Sequence, residues 1–206
     1  MSKSKLLYII RHGETDFNRL GIVQGSGIDM PLNDLGILQA KRFYEYYKDI
    51  QFSKIYTSSL IRTQQSILPF IEAGKPYKAI PALNEISWGI FEGKPQNPEE
   101  REVYWKVVNA WKNGQYNAKI LEGESALELH TRQKTFVDYL KQEEGDDCIL
   151  ISMHGRAMKA FLCALLDLPL LEMERFEHTN LCLYILEFDG KAFRILKHCD
   201  TTHLAS

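Results

Sequence analysis

Read for the spacing of its apolar positions, the chain repeats one design three times. Leu6 to Ile10, Lys54-Ile55-Tyr56-Thr57-Ser58 and Cys148-Ile149-Leu150-Ile151-Ser152 are short runs rich in β-branched and aromatic residues. A tight polar loop follows each run, and apolar residues at helical spacing follow the loop, so each unit predicts a strand, a turn and a helix. Continuous apolar strands alternating with helices predict a mostly parallel sheet covered on both faces, because crossover helices bury strands that an antiparallel meander would leave half exposed. The expected fold class is α/β.

The segments between these units carry helix signals of their own. Asn33 reads as the cap of a helix containing Leu35, Leu38, Phe43 and Tyr47, and Ser125-Ala126-Leu127-Glu128 reads as a capping box opening a helix with Phe136, Val137 and Leu140 on one face. The stretch from about 94 to 123 differs: it is charged, aromatic and interrupted by proline, with Glu99 to Asn113 helical and presenting Tyr104, Trp105, Val108 and Trp111. It reads as an insertion over the sheet edge. Trp105 and Trp111 are read as helix packing ahead of a substrate platform. Repeats and low-complexity tracts are absent, and the only weak tail is Thr201 to Ser206. One domain over residues 1–206 with an insertion is the expected organisation.

Composition narrows the functional classes. With 206 residues, 45% of them hydrophobic, the chain is long enough for one substantial core. Its 25 basic against 27 acidic residues leave a formal charge of -2, so no global field points to a nucleic acid or an anionic membrane, and positive charge that matters must be local. Cys148, Cys163, Cys182 and Cys199 form no CxxC pair, which suits buried reduced thiols and a cytoplasmic setting. After Met1-Ser2-Lys3-Ser4-Lys5 only five apolar residues precede Arg11-His12, too few for a signal peptide or a membrane span.

The candidate chemistry sits at the ends of the strands. In open parallel sheets ligands bind outside the carboxyl ends, where loops converge and helix amino termini point free N–H groups outward. The first unit places Arg11 and His12 there, the third places His154, and the second places Arg62 in the first turn of its helix. Gly13 and Gly155 follow the two histidines and let the backbone come close to a ligand. Either His-Gly pair alone is more often structural, but two pairs and a Ser-x-x-Arg at exits of one sheet are hard to explain as packing accidents. A metal site is the rival reading. Arg11 and Arg62 argue against it, since a pocket they line repels a divalent cation and attracts phosphate. HExxH, a phosphate-binding Gly-x-x-x-x-Gly-Lys and a complete dinucleotide fingerprint are all missing, so no cofactor is expected.

These residues carry a family resemblance. Arg11-His12-Gly13-Glu14-Thr15 with Asn18, then Gln24-Gly25, Asp29, Pro31, Leu32, Gly36, Gln39 and Ala40, resembles the opening of the histidine phosphatase superfamily, which includes phosphoglycerate mutases and small-molecule phosphatases. Thr57-Ser58-x-Leu60-x-Arg62-Thr63, Glu85 with Trp88-Gly89 and Glu92-Gly93, Gly123-Glu124-Ser125 and His154-Gly155 continue the likeness over most of the chain. The resemblance implies a three-layer α/β/α sandwich and a metal-independent phosphomonoesterase. It makes His12 the nucleophile, Arg11, Arg62 and His154 the phosphate pocket, Glu85 the general acid and base, and Asn18, Gln24 and Gly25 auxiliary contacts. Chemistry supports those roles: histidine attacks phosphorus only as neutral imidazole, which neighbouring guanidiniums favour, and fixed donors meet the charge on the equatorial oxygens. An acid beside a dianionic substrate is expected to hold its proton more tightly.

Glu14, Thr15 and Thr63 read as loop-holding residues, and His130, His178, His198 and His203 receive no catalytic role. Departures from the commoner pattern are Asn84 before the acid, Met153 before His154-Gly155, and Arg156, which either reaches an anionic substrate together with Gly155 or is solvated at a helix start. The expected partner is a small phosphomonoester, with no nucleic acid and no membrane; the resemblance allows a homodimer. Hydrolysis, phosphoryl return as in a mutase, and a noncatalytic phosphate-binding module stay open in that order. The shortness of the chain and the mixed charges of 94–122 favour the phosphatase.

Overall fold

The computed structural model describes residues 4–143 and 148–205. Met1 to Lys3 of the amino-terminal reading and Ser206 of the expected tail lie outside the described residues.

Among the described residues six strands, β1 (Lys5–Arg11), β2 (Lys54–Thr57), β3 (Lys78–Ala79), β4 (Cys148–Met153), β5 (Leu183–Phe188) and β6 (Phe193–Asp200), form one sheet in the order β3-β2-β4-β1-β5-β6. The first four in that order run parallel, as crossover helices require, and β5 and β6 are added antiparallel. The helices are α1 (Asp16–Leu20), α2 (Asp34–Tyr47), α3 (Ile61–Ser66), α4 (Leu68–Glu72), α5 (Pro98–Lys112), α6 (Ala126–Gln142) and α7 (Gly155–Leu165).

Alternation along β1 shows why three layers form. Leu7 and Ile9 point into a core with Trp111 of α5, Phe136 of α6 and Phe161 of α7, whereas Tyr8 and Ile10 point the other way, onto Phe43 of α2 and Phe70 of α4. From Ala157 to Leu165, α7 is buried at every residue, and Lys159 is the one charged side chain in that stretch. The result is the three-layer α/β/α sandwich with a mostly parallel sheet.

Capping follows the sequence closely. Asn33 Oδ1 accepts from Gly36 N at 2.9 Å, and Ser125 and Glu128 exchange both bonds of a capping box. The buried face of α2 does not take in all of its apolar residues. It consists of Gly36, Ala40, Phe43 and Tyr47, while Leu35 and Leu38 are 45% and 44% exposed. The cause is a close approach: a Cβ on Gly36 would lie 2.1 Å from Glu14 O, so only glycine lets α2 meet the loop after β1. Helix α5 starts at Pro98 behind an Asn97 cap and buries Val108 and Trp111, with Trp105 left exposed.

The three carboxyl ends lie side by side, with Arg11 opposite Met153 and Thr57 opposite Ser152. Because β5 runs antiparallel to β1, with Leu183 opposite Ile10, the residues before β5 arrive at the same rim.

Candidate active site

His12 leaves β1 with its backbone N–H bonded to Met153 O at 2.9 Å, and its side chain is buried. Its Nδ1 lies 2.7 Å from Gly13 O. A carbonyl can only accept, so Nδ1 carries the proton and Nε2 keeps a lone pair. Burial first, then the Arg11 and Arg62 guanidiniums, hold the His12 pKa well below its ordinary value; the bond to Gly13 opposes them without reversing the shift. His12 is therefore a neutral imidazole of defined tautomer.

Arg62, the first turn of α3, lies fully buried behind it. Nε donates to His154 Nδ1 at 3.1 Å, Nη1 to Ile28 O at 2.7 Å and Nη2 to Gly25 O at 3.2 Å. Burial lowers its pKa to about 10, leaving it a cation at neutral pH. The ring of His154 is centred 5.2 Å from that of His12. Since Arg62 can only donate, His154 Nδ1 accepts and Nε2–H faces Ser58 Oγ at 2.8 Å. Burial and then Arg62 push the His154 pKa well down.

A cavity of about 180 Å³ opens in front of this pair. Among the residues named from the sequence, Arg11, His12, Asn18, Gln24, Glu85, Gly155 and Arg156 line it; Gly25, Arg62 and His154 stand behind. Val23, Trp88 and Tyr104 supply walls. Arg11 Nε is buried with no hydrogen-bond partner among the described residues. Gln24 Nε2 donates to Thr15 Oγ1 at 2.7 Å, and its Oε1 is likewise unpartnered. Asn18 Oδ1 accepts from Thr15 N and from Asn180 Nδ2, so its NH2 is the end left to donate.

Glu85 is held by backbone alone. Oε1 accepts from Ile86 N at 2.9 Å and Ala157 N at 2.7 Å, and Oε2 from Arg156 N at 3.0 Å. Two of these donors belong to the first turn of α7, where the helix dipole favours an anion. From α6, Arg132 donates to the carbonyls of Ala82, Asn84 and Glu85 and forms a two-point pair with Glu124. It fixes the Glu85 loop. The Asn84 side chain instead accepts from Ser59 N at 2.8 Å.

Arg156 reaches the cavity wall with its guanidinium already engaged. It pairs with Glu174, lies 3.4 Å from Tyr104 Oη and sits 5.8 Å over the Trp111 ring. Lys159 Nζ shares Glu174 at 3.0 Å. Neither a free cation nor a solvated helix start describes it. As expected, Glu14, Thr15 and Thr63 hold loops: Glu14 Oε1 accepts from Asn33, Thr15 caps α1, and Thr63 bonds Ser58 Oγ.

Two residues reach the site without having been singled out by the strand-exit pattern. Asn180 Nδ2 donates to His12 O and Asn18 Oδ1, both at 3.1 Å, and His178 lines the cavity with Nδ1 3.3 Å from Arg11 Nη1. Both precede an antiparallel strand, so they enter the rim from its amino end. Recognising β5 as antiparallel is the signal that finds them.

The carboxyl rim of an open α/β/α sheet gathers the neutral imidazole of His12, the guanidiniums of Arg11 and Arg62, and the backbone-held carboxylate of Glu85. The sequence model of the histidine phosphatase superfamily (branch 1) matches residues 7–201, and the chain belongs to that family. It is 32% identical over 208 residues to "Probable phosphoglycerate mutase GpmB" of Yersinia pestis (strain Pestoides F), covering 96% of this chain and 94% of that one. Among solved structures it resembles a phosphoserine phosphatase from Entamoeba histolytica in complex with 3-phosphoglyceric acid, with TM-score 0.81, 27% identity and coverage of 97% and 99%. The α-ribazole phosphatase of Shigella flexneri gives TM-score 0.83, 26% identity and coverage of 95% and 96%.

Proposed function

We propose that the protein is a metal-independent phosphatase that hydrolyses a small phosphomonoester through a phosphohistidine on His12. The observation that carries the reading is the His12 tautomer: Nδ1 is tied to Gly13 O, and a neutral Nε2 lone pair sits in a pocket lined by guanidinium charge. Binding phosphate needs cations but no such lone pair, which weighs against a noncatalytic module.

In the first step Nε2 attacks phosphorus while the ester oxygen leaves opposite it, and Arg11 with the Asn18 amide meets the equatorial oxygens without reorganising. The leaving alkoxide takes a proton from Glu85. Each carboxyl oxygen has two lone pairs, and Oε1 already spends both on Ile86 and Ala157, so Oε2 is the atom that carries the proton. In the second step water attacks the phosphohistidine and gives its proton back to Oε2, releasing phosphate and free imidazole.

At about 180 Å³ the cavity is well below the ~300–1,000 Å³ of pockets that take drug-sized ligands, which supports a small substrate. Residues 94–123 serve as its cap within a single domain, contributing Tyr104. Relatives named for phosphoglycerate, phosphoserine and α-ribazole chemistry make these the first esters to assay.

The likeness to a phosphoglycerate mutase favours one second reading, return of the phosphoryl group to another hydroxyl. A panel of phosphomonoesters, assayed with and without phosphoglycerate as acceptor and with EDTA, separates them. The phosphatase releases inorganic phosphate at a rate the acceptor and EDTA leave unchanged. Phosphoryl transfer to the acceptor in place of release supports the mutase, and loss in EDTA restored by a divalent ion overturns the metal-free mechanism.

A further inference from the structure

The Glu85 loop is held from behind as well as through its carboxylate. Arg132 projects from α6 and spends its fork on that loop and on one acid. Nη1 donates to Ala82 O at 2.7 Å, and Nη2 to Asn84 O at 2.9 Å and Glu85 O at 3.1 Å. Nε and Nη2 also donate to the two carboxylate oxygens of Glu124, at 2.7 and 2.9 Å. A planar, rigid set of donors can meet these acceptors together, which a single ammonium cannot.

Glu124 is in turn placed by the return of the insertion. Its backbone N–H donates to Ser87 O at 2.8 Å, and Ile90 N–H donates to Leu121 O at 3.2 Å. Gly89, at φ +54, permits this approach, since a Cβ there would lie 2.0 Å from Leu121 O. The next residue, Ser125, caps α6. Residues 121–124 therefore join the segment just after Glu85 to the helix that carries Arg132.

We infer that Arg132 is the positioning residue of the proton transfer: oriented by Glu124, it fixes the Glu85 backbone so that Oε2 meets the leaving oxygen, and it ties the acid to the return of the insertion. The inference rests on the phosphatase reading above, in which Glu85 is the acid. Arg132 is not among the residues lining the cavity, so it acts through Glu85.

Three variants test this, Arg132→Ala, Arg132→Lys and Glu124→Gln, each assayed in the pre-steady state with alkyl and aryl phosphates. With Arg132→Ala the first step on alkyl phosphates should slow roughly 10²-fold, the cost of misplacing a reacting group by about 1 Å, with KM little changed and aryl phosphates nearly unaffected. Arg132→Lys should fall almost as far, because charge without the fork does not hold the loop. Glu124→Gln should lose less, and combining it with Arg132→Ala should cost no more than Arg132→Ala alone. Wild-type rates on alkyl phosphates in Arg132→Lys and Glu124→Gln, or equal losses on both classes of ester, overturn the positioning role. Glu124→Gln keeps the size of its side chain and answers the question should Arg132→Ala fail to fold. A readout independent of turnover comes from 1H–15N NMR. The amides of Arg156 and Ala157, which donate to the Glu85 carboxylate, should shift in Arg132→Lys and Glu124→Gln; amides that stay in place overturn the inference. Shifted amides in a protein whose Glu85→Gln variant shows no dependence on the leaving group remove Glu85 as the acid and leave Arg132 positioning its carboxylate.

Discussion

At His12 one hydrogen bond decides which nitrogen can react. Sequence places Arg11 and His12 at a strand exit, while Glu85 enters only through the family resemblance, and all three line one cavity. Direction is another matter. Nothing in the spacing says that His154 meets Ser58, or that Glu174 engages Arg156, since both depend on partners far away in the chain. Glu85 shows the difference most clearly: its residue type suggests an acid, while its three backbone donors identify Oε2 as the oxygen free to hold a proton. Glu85→Gln removes the proposed proton carrier and keeps much of the shape. Its kcat should fall roughly 10²–10⁴-fold for alkyl phosphates, the usual contribution of general acid catalysis. For aryl phosphates with good leaving groups the first step should be nearly unaffected in the pre-steady state. Equal first-step losses for both would remove Glu85 from the role of acid.

At the scale of elements, the loop after β1 is shaped by what packs beneath it. Gly36 lets α2 come within contact of Glu14, and Gly13 N is held by Ser66 Oγ at 2.9 Å from the end of α3. A methyl group at Gly36 has backbone on its far side, which cannot rotate away. Gly36→Ala should therefore lower stability by about 1–3 kcal/mol, the usual cost of overpacking, and reduce kcat by displacing the loop that carries His12. Denaturant titration together with turnover checks both, and an unchanged midpoint with full activity would show that α2 does not set the loop. The α2 face also marks the limit of pattern reading. Leu35 and Leu38 fit helical spacing as well as the glycine and alanine that are buried, and only the short distance to the loop selects the smaller residues. The β5–β6 hairpin has the same lesson. Its antiparallel direction brings His178 and Asn180 to a rim that a purely parallel reading assigns to carboxyl ends alone.

Over the whole molecule, the three layers bury histidines faster than they provide them with counter-charges. Five of the six histidines, His12, His130, His154, His178 and His203, have pKa values lowered from 6.5, with burial the largest cause in each. Each depressed histidine binds its proton in the unfolded chain before it does so in the folded one. Stability is thus fully present above pH 6.5 and declines as pH falls below it, continuing to about 3 for His178. The limiting slope is about 1.4 kcal/mol per pH unit for each group. Glu128 and Asp200, held near 2, add losses only as pH falls below their ordinary values of 4.5 and 3.8. Denaturant midpoints should therefore begin to drop between pH 6.5 and 5, before those carboxylates titrate; a midpoint flat to pH 4.5 would contradict neutral burial of these histidines. The fold class and the rim were legible in three strand runs. The charge state of the interior was not, because it depends on how deeply the layers close over each ring.

The central claim is that His12 Nε2 takes the phosphoryl group. Rapid quench in base during turnover of a 32P-labelled phosphomonoester, followed by peptide mapping and 31P NMR of the labelled peptide, reads residue and atom together. The expected result is an alkali-stable, acid-labile phosphate on the His12 peptide at Nε2, absent from His12→Ala. Label at Nδ1, on any other residue, or on no residue of a protein that is turning substrate over would contradict it.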